Sequence, residues 1–243
     1  MLDFTGDQVV NLSDWKIQGS SKARLVQCTP NLDASCAFIA RVSSKNQGST
    51  SIAGLLRYCA SNAHWSVFEQ GAITVEVVTP LAIAIQLIRH RSFTFQQFSG
   101  RYQDQKELTL MTEGLPTCEH DLFYMPVQAR MQDTKNRQNS IASEDERETN
   151  KMQGTINDCL LACYKAYNKL LEQGIAKEVA RFVLPQGTYT RLYVTGSPRS
   201  FIHYVGVRDD VGVAQLEHVE LAQAIKSVFS DACPVISEAV WKS

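Results

Sequence analysis

Hydrophobic and polar positions alternate over residues 71–78, GAITVEVV, with Ile73, Val75 and Val77 on one side. This predicts a strand with one buried face. Thr79-Pro80 then offers an N-cap and a proline for the first helical position, and LAIAIQLI predicts a short, largely buried helix over 81–88. That helix delivers Arg89-His90-Arg91 at its C-terminal end, where cations meet a favourable dipole. Further on, Met152, Ile156, Leu160, Cys163, Ala166, Tyr167 and Leu170 recur at three- and four-residue spacings. They predict one long amphipathic helix from Thr149 to about Glu172, with Gly174 as its stop. A second helix over 176–184 ends at Pro185, and Thr188–Thr195, TYTRLYVT, has the composition of a strand. Ser197-Pro198 repeats the cap-plus-proline signal and opens a helix through Val207. A last helix, over about 215–229, stops before Cys233-Pro234.

Between Gln103 and Asn150 the chain turns polar, and Met131–Asn150 is rich in Gln, Asn, Ser and charge. A polar surface loop or insertion is expected over about 103–150. No repeat and no clear boundary is visible, so residues 1–243 are read as a single domain of α/β or α+β class.

The chain has 243 residues, 44% of them hydrophobic, which is too apolar for a disordered chain. Its 24 Lys+Arg against 25 Asp+Glu leave a formal net charge of −1, which gives no general drive toward nucleic acid or an anionic membrane. Any bound anion must therefore meet locally placed cations. The opening MLDFTGDQVV lacks a basic segment followed by an apolar one, and no apolar run approaches the length of a membrane span, so a soluble, cytoplasmic protein is expected. Cys28, Cys36, Cys59, Cys118, Cys159, Cys163 and Cys233 show no CxxC spacing, and no His joins Cys159 and Cys163 on their shared helical face. They read as buried small hydrophobes, with no metal site expected.

The densest chemistry is Arg89–Tyr102, RHRSFTFQQFSGRY: three arginines, a histidine, two glutamines, two serines and a glycine directly after an apolar helix. Guanidinium groups hold phosphate and carboxylate oxygens through paired hydrogen bonds, and Gly100 lets backbone amides approach a ligand. The alternative is a solvated cationic loop. A second cluster gathers Arg181, Arg191, Arg199, His203 and Arg208 around the strand over 188–195 and the helix after Pro198.

RHR, seven residues, then Ser99, continuing as SGRY, resembles the signature of the flavin-dependent thymidylate synthase family. Further blocks follow the family's order: Ala40-Arg41-Val42-Ser43, HWSVFE at 64–69, VARFVLP at 179–185, Tyr189-Thr190, PRSFIHYVGVR at 198–208 and AQLE at 214–217. The resemblance implies a curved, largely antiparallel sheet flanked by helices, in a homotetramer whose active sites are shared between subunits. It also implies methylation of deoxyuridine monophosphate (dUMP), with 5,10-methylenetetrahydrofolate as carbon donor and NADPH as reductant acting through FAD.

Carried over by position, Arg89, His90 and Arg91 resemble the flavin-binding RHR, with Arg89 also near the nucleotide. Ser66 would reach FAD from a neighbouring subunit, and Ser197, Pro198, Arg199 and His203 match further FAD positions. Gln86, Ser99, Gly100, Arg101 and Arg181 match the nucleotide site, and Gln97 stands where both ligands are expected. Arg208 matches the arginine that contacts the uracil edge and favours its ionised form, which makes it the catalytic candidate.

Several positions depart from the family's pattern. Gln97 replaces a glutamate and cannot serve as a carboxylate base, Thr94 and Gln96 replace Ser and Asn, Trp65, Val67 and Gln70 alter the HxxPFEH block, and Leu216 and His218 alter QWE(I/L)R. Ser99 has no evident general base and reads as a nucleotide ligand rather than a nucleophile. Two other readings stay open: the same fold with a changed reaction, such as pyrimidine hydroxymethylation, and a single-stranded nucleic-acid platform built from the arginines with Phe93, Phe95, Phe98 and Tyr102.

Overall fold

A computed structural model of the chain describes residues 12–118 and 120–241. The opening decapeptide, on which the leader reading rests, lies outside these. The strands are β1 (Lys16–Gln18), β2 (Ser21–Cys28), β3 (Ile73–Pro80), β4 (Thr94–Gln97), β5 (Arg130–Gln132), β6 (Ser140–Ala142) and β7 (Tyr189–Gly196). The helices are α1 (Leu32–Ala40), α2 (Ala53–Ser61), α3 (Leu81–Leu87), α4 (Glu146–Glu172), α5 (Lys177–Ala180), α6 (Pro198–Arg208), α7 (Leu216–Ala232) and α8 (Pro234–Trp241).

Five strands form one sheet in the order β1-β2-β3-β7-β4, every pairing antiparallel, with β5 and β6 as a separate hairpin. The antiparallel sheet flanked by helices is the architecture that the family resemblance implied. Every residue of β3 is buried, so the alternation in its sequence does not separate a wet face from a dry one. One face carries Ile73, Val75 and Val77 into the main core with Phe201, Ile225 and Phe229. The other buries Glu76, which pairs with Arg24 at 2.6 Å and with Arg191. Helix α7 lies over β1, β2 and β3, and α6 packs beside it.

Thr79 is not an N-cap. It is fully buried and shares a 2.7 Å hydrogen bond with Ser21, because β3 continues to Pro80. The first amides of α3 are satisfied instead by main-chain carbonyls: Leu81 donates to Thr188 at 2.8 Å and Ala82 to Gln186 at 3.0 Å. Helix α4 begins at Glu146, three residues before the expected start, since Asp145 accepts from the Arg147 amide at 2.9 Å and caps it. Residues 176–184 divide into α5 and a 3₁₀ turn, Arg181–Val183, ahead of Pro185. Ser197 does cap α6, with Pro198 in its first turn.

The polar stretch over 103–150 is not surface throughout. Leu108, Cys118, Leu122 and Phe123 form a buried cluster with Leu160 of α4, while β5, β6 and the turn between them stay largely exposed. Cys36, Cys59, Cys118 and Cys233 are buried, but Cys159 is exposed, so its reading as a core residue is corrected.

Candidate functional site

Helix α3 ends at Leu87, and the chain then turns sharply. His90 points inward, its ring edge-on to Tyr204 at 4.9 Å between centroids. Phe93 is buried against Phe201 at 4.8 Å and Tyr204 at 5.8 Å, and the close approach of Gly196 makes room for it: a Cβ there would lie 2.5 Å from the Phe93 ring. These anchors hold a segment whose Arg89 and Arg91 are exposed and unpaired among the described residues. Strand β4 then pairs with the edge of β7.

Arg208, in the last turn of α6, donates from Nε to His90 Nε2 at 3.1 Å. Burial, then the charge of Arg208 and the neighbouring His203, push His90 down to about 4. At neutral pH its imidazole is uncharged, with Nε2 accepting and Nδ1 carrying the proton.

A first cavity of about 380 Å³ is lined by Trp65, Glu69, Ser92, Arg199, Ile202 and His203, with Ser200. Glu69 ends the 3₁₀ turn Trp65–Glu69 and accepts from Ser197 Oγ at 2.6 Å and from Arg199 at 2.9 Å. Pro198 is buried at the start of α6, whereas Ser66 is exposed and does not line this cavity. Trp65 and Ile202 give this cavity apolar walls, and Arg199 and His203 give it nitrogen donors.

A second cavity, of about 410 Å³, collects Gln97, Ser99, Gly100, Gln105, Arg181 and Thr190. Gln97 donates to Thr190 Oγ1 at 3.1 Å, and a Cβ at Gly100 would collide with Gln105 Nε2. Ser99 Oγ accepts from the Arg101 amide at 3.4 Å, and no base adjoins it among the described residues. Arg101 itself turns outward to Glu178 at 3.2 Å. The segment from Ser92 to Gly100 therefore runs from one cavity to the other.

Gln86, in α3, donates to Gln215 Oε1 at 2.8 Å and shares a 3.1 Å hydrogen bond with His218 Nδ1. Burial, then Arg208 and His90, push His218 down to about 3. Its ring lies 6.2 Å from that of His90 between centroids.

Arg191 does not join the other arginines. It alternates onto the opposite face of β7, where Glu76 takes it as an ion-pair partner, and so the second sequence cluster is divided. Glu69 and Thr190 fall in blocks quoted from the sequence but were given no site role there, and Gln105 and the linking role of Gln215 were not singled out. Glu69 meets Arg199 across 130 residues, a separation that leaves no local signal.

A family model described as "Thymidylate synthase complementing protein" matches residues 24–235. A probable flavin-dependent thymidylate synthase of Paramecium bursaria Chlorella virus 1 is 41% identical over 206 residues, covering 84% of this chain and 88% of the relative. A flavin-dependent thymidylate synthase of Synechocystis is also 41% identical, over 207 residues, covering 84% and 87%. Among solved structures, a UMP/dUMP methylase, PolB, from Streptomyces cacaoi, bound with 5-Br dUMP, is similar with a TM-score of 0.73 at 26% identity, covering 92% of this chain and 96% of that one.

Proposed function

The chain belongs to the thymidylate synthase complementing protein family, that of the flavin-dependent thymidylate synthases, and from this membership we propose how its two cavities divide the work. It is a flavin-dependent methyltransferase that makes thymidylate from dUMP. The finer reading is that the flavin is FAD, that NADPH is the reductant and 5,10-methylenetetrahydrofolate the carbon donor, and that residues 1–243 form one catalytic domain working as a cytoplasmic homotetramer. Among the described residues no helix is long and apolar enough to cross a membrane.

The observation that carries the division is the single segment, Ser92 to Gly100, shared by a cavity with apolar walls and a cavity lined by amides and hydroxyls. The donor set suits a flavin nucleotide: Trp65 and Ile202 offer surface for a ring system, while Arg199, Ser197 and the exposed Arg89 and Arg91 offer donors for phosphates. His90, Pro198 and His203 complete this set, with Ser66 free on the surface to reach a neighbouring subunit's ligand. When bound, FAD supplies hydride transfer between NADPH and the new carbon on the nucleotide.

The second cavity is assigned to dUMP. Arg181, Ser99 and the backbone at Gly100 hold its oxygens, Gln97 offers an amide, and Arg101 is available because an exposed ion pair with Glu178 holds it only weakly. Gln86 does not line this cavity, and its assignment to the nucleotide rests on the family's pattern. Arg208 is the catalytic residue: a guanidinium fixed by His90 stabilises negative charge on the uracil edge without first reorganising. A neutral His90 suits that task, since it accepts from Arg208 rather than repelling it.

The visible absorption spectrum of the protein, taken after mixing with FAD and removing unbound cofactor, tests this reading. Retained flavin whose bands shift on adding dUMP is expected. Absence of retained flavin, or bands indifferent to dUMP, overturns the adjoining-site assignment.

A further inference from the structure

His218 occupies a place where the family's QWE(I/L)R pattern carries Ile or Leu, and it is fully buried with Nε2 unpartnered. A buried imidazole with one nitrogen unpaired is destabilising, and an apolar side chain would fill the space without that cost. The polarity of His218 therefore requires another use, and its surroundings supply one.

The hydrogen bonds leading to it run in one direction. Glu217 is buried; burial raises its carboxyl, but Arg130, with further hydrogen bonds, outweighs this and holds it below its usual range, so it stays ionised and can only accept. Arg130 donates to its Oε1, and Tyr124 donates to the same oxygen at 3.0 Å. Gln215 must then donate to Oε2, which it does from Nε2 at 2.9 Å, turning its own oxygen toward Gln86. Gln86 in turn must offer Nε2 to that oxygen, at 2.8 Å, which leaves its Oε1 to accept from His218 Nδ1 at 3.1 Å. The chain of donors thus fixes both the tautomer of His218 and the orientation of the Gln86 amide.

We propose that His218 is a positioning residue: its Nδ1–H occupies Gln86 Oε1 and so, together with Gln215, holds Gln86 to meet the nucleotide as an N–H donor that recognises an acceptor oxygen. This rests on the assignment of Gln86 to the nucleotide site. The second Nε2–H of Gln86, the one not given to Gln215, is the donor left for the ligand. An apolar residue at 218 fills the space but removes one of the two partners that fix the amide, leaving Gln215 Oε1 alone to oppose the orientation that presents an oxygen to the ligand. An asparagine at 218 can place an N–H near the position of the imidazole Nδ1, so it retains the donor.

The test measures dUMP binding to the flavin-loaded protein by titration of the flavin bands, together with KM and kcat for dUMP, in H218L, H218N, Q215L and Q86L. Q86L is expected to weaken dUMP at least tenfold. H218L is expected to raise Kd and KM about tenfold with kcat within threefold, and H218N to stay within threefold of the parent. Gln215 is exposed, so Q215L keeps the fold; it removes the other partner of the Gln86 amide and is expected to raise KM severalfold. Unchanged dUMP affinity in H218L, beside a weakened Q86L, overturns the role of His218 alone, whatever Q215L does. H218N as defective as H218L also overturns it, since space filling and not the donor would then matter. An unaffected Q86L overturns the placement of Gln86 and this proposal with it.

Discussion

Arg208 Nε donates to His90 Nε2 at 3.1 Å, so the guanidinium closing α6 is tied to the imidazole that follows α3. Neither side chain is fully exposed, and each restricts the other's rotamers. The pair joins the second arginine cluster to the first, and makes one electrostatic unit of residues 118 positions apart.

Replacing Arg208 tests that unit. R208A is expected to lower kcat/KM for dUMP by about 100-fold or more, the scale of losing a preorganised donor to developing charge. R208K should recover little, because an ammonium cannot reproduce the guanidinium's directed donors. Initial rates of thymidylate formation check both, and a tenfold or smaller loss in R208A would count against a catalytic role.

Acid stability follows from the two depressed histidines. His90 and His218 are held neutral in the fold, at about 4 and about 3, against an ordinary value near 6.5. Between those limits the unfolded chain binds more protons than the folded one, so stability is fully present above about 6.5 and declines as pH falls toward 4. In urea melts at a series of pH values, H218L is expected to flatten part of this decline. An unchanged slope would mean that His218 protonates freely in the fold.

Glu69 and Arg199 separate stability from binding. Their ion pair is exposed on both sides and contributes little to stability, about 0–1 kcal/mol. R199A should melt near the parent temperature yet retain markedly less FAD after desalting. E69A should also melt near the parent, and a loss of flavin there would show that Glu69 aims Arg199 and Ser197 into the cavity.

Glu76 is a structural charge. It is fully buried with Arg24 and Arg191 as its partners, and its removal leaves two half-buried guanidiniums without a counter-charge. E76A is expected to lose about 3–5 kcal/mol of stability, the scale of breaking a buried ion pair, measured by chemical denaturation. A loss under 1 kcal/mol would contradict this account of the β3 face.

Local chemistry made much of the C-terminal half legible. Ser197-Pro198 caps and opens α6, Gly174 adopts a positive φ just after α4, and β7 lies within one residue of its expected place. What could not be read depended on distant partners. Thr79 resembles a cap until Ser21 claims its hydroxyl, and α8 is held at its start by Asp33, which accepts from the Val235 and Ile236 amides at 3.0 and 3.1 Å. Helices α1 and α2 and strands β1 and β2 are short, three to nine residues each, and were not anticipated. In the site, the arginines and glutamines stood out by composition, but the separation of Arg191 from Arg199 depends on strand alternation against Glu76. Glu69 became visible only once α6 was folded against the 3₁₀ turn.

Product analysis tests the central claim most directly. Purified protein is incubated with FAD, NADPH and 5,10-methylenetetrahydrofolate, with dUMP, UMP and dCMP in parallel, and the nucleotides are identified by mass. Conversion of dUMP to thymidylate that requires both FAD and NADPH and falls sharply in R208A is the predicted result. Oxidation of NADPH without thymidylate, or a hydroxymethylated pyrimidine as the product, would contradict it.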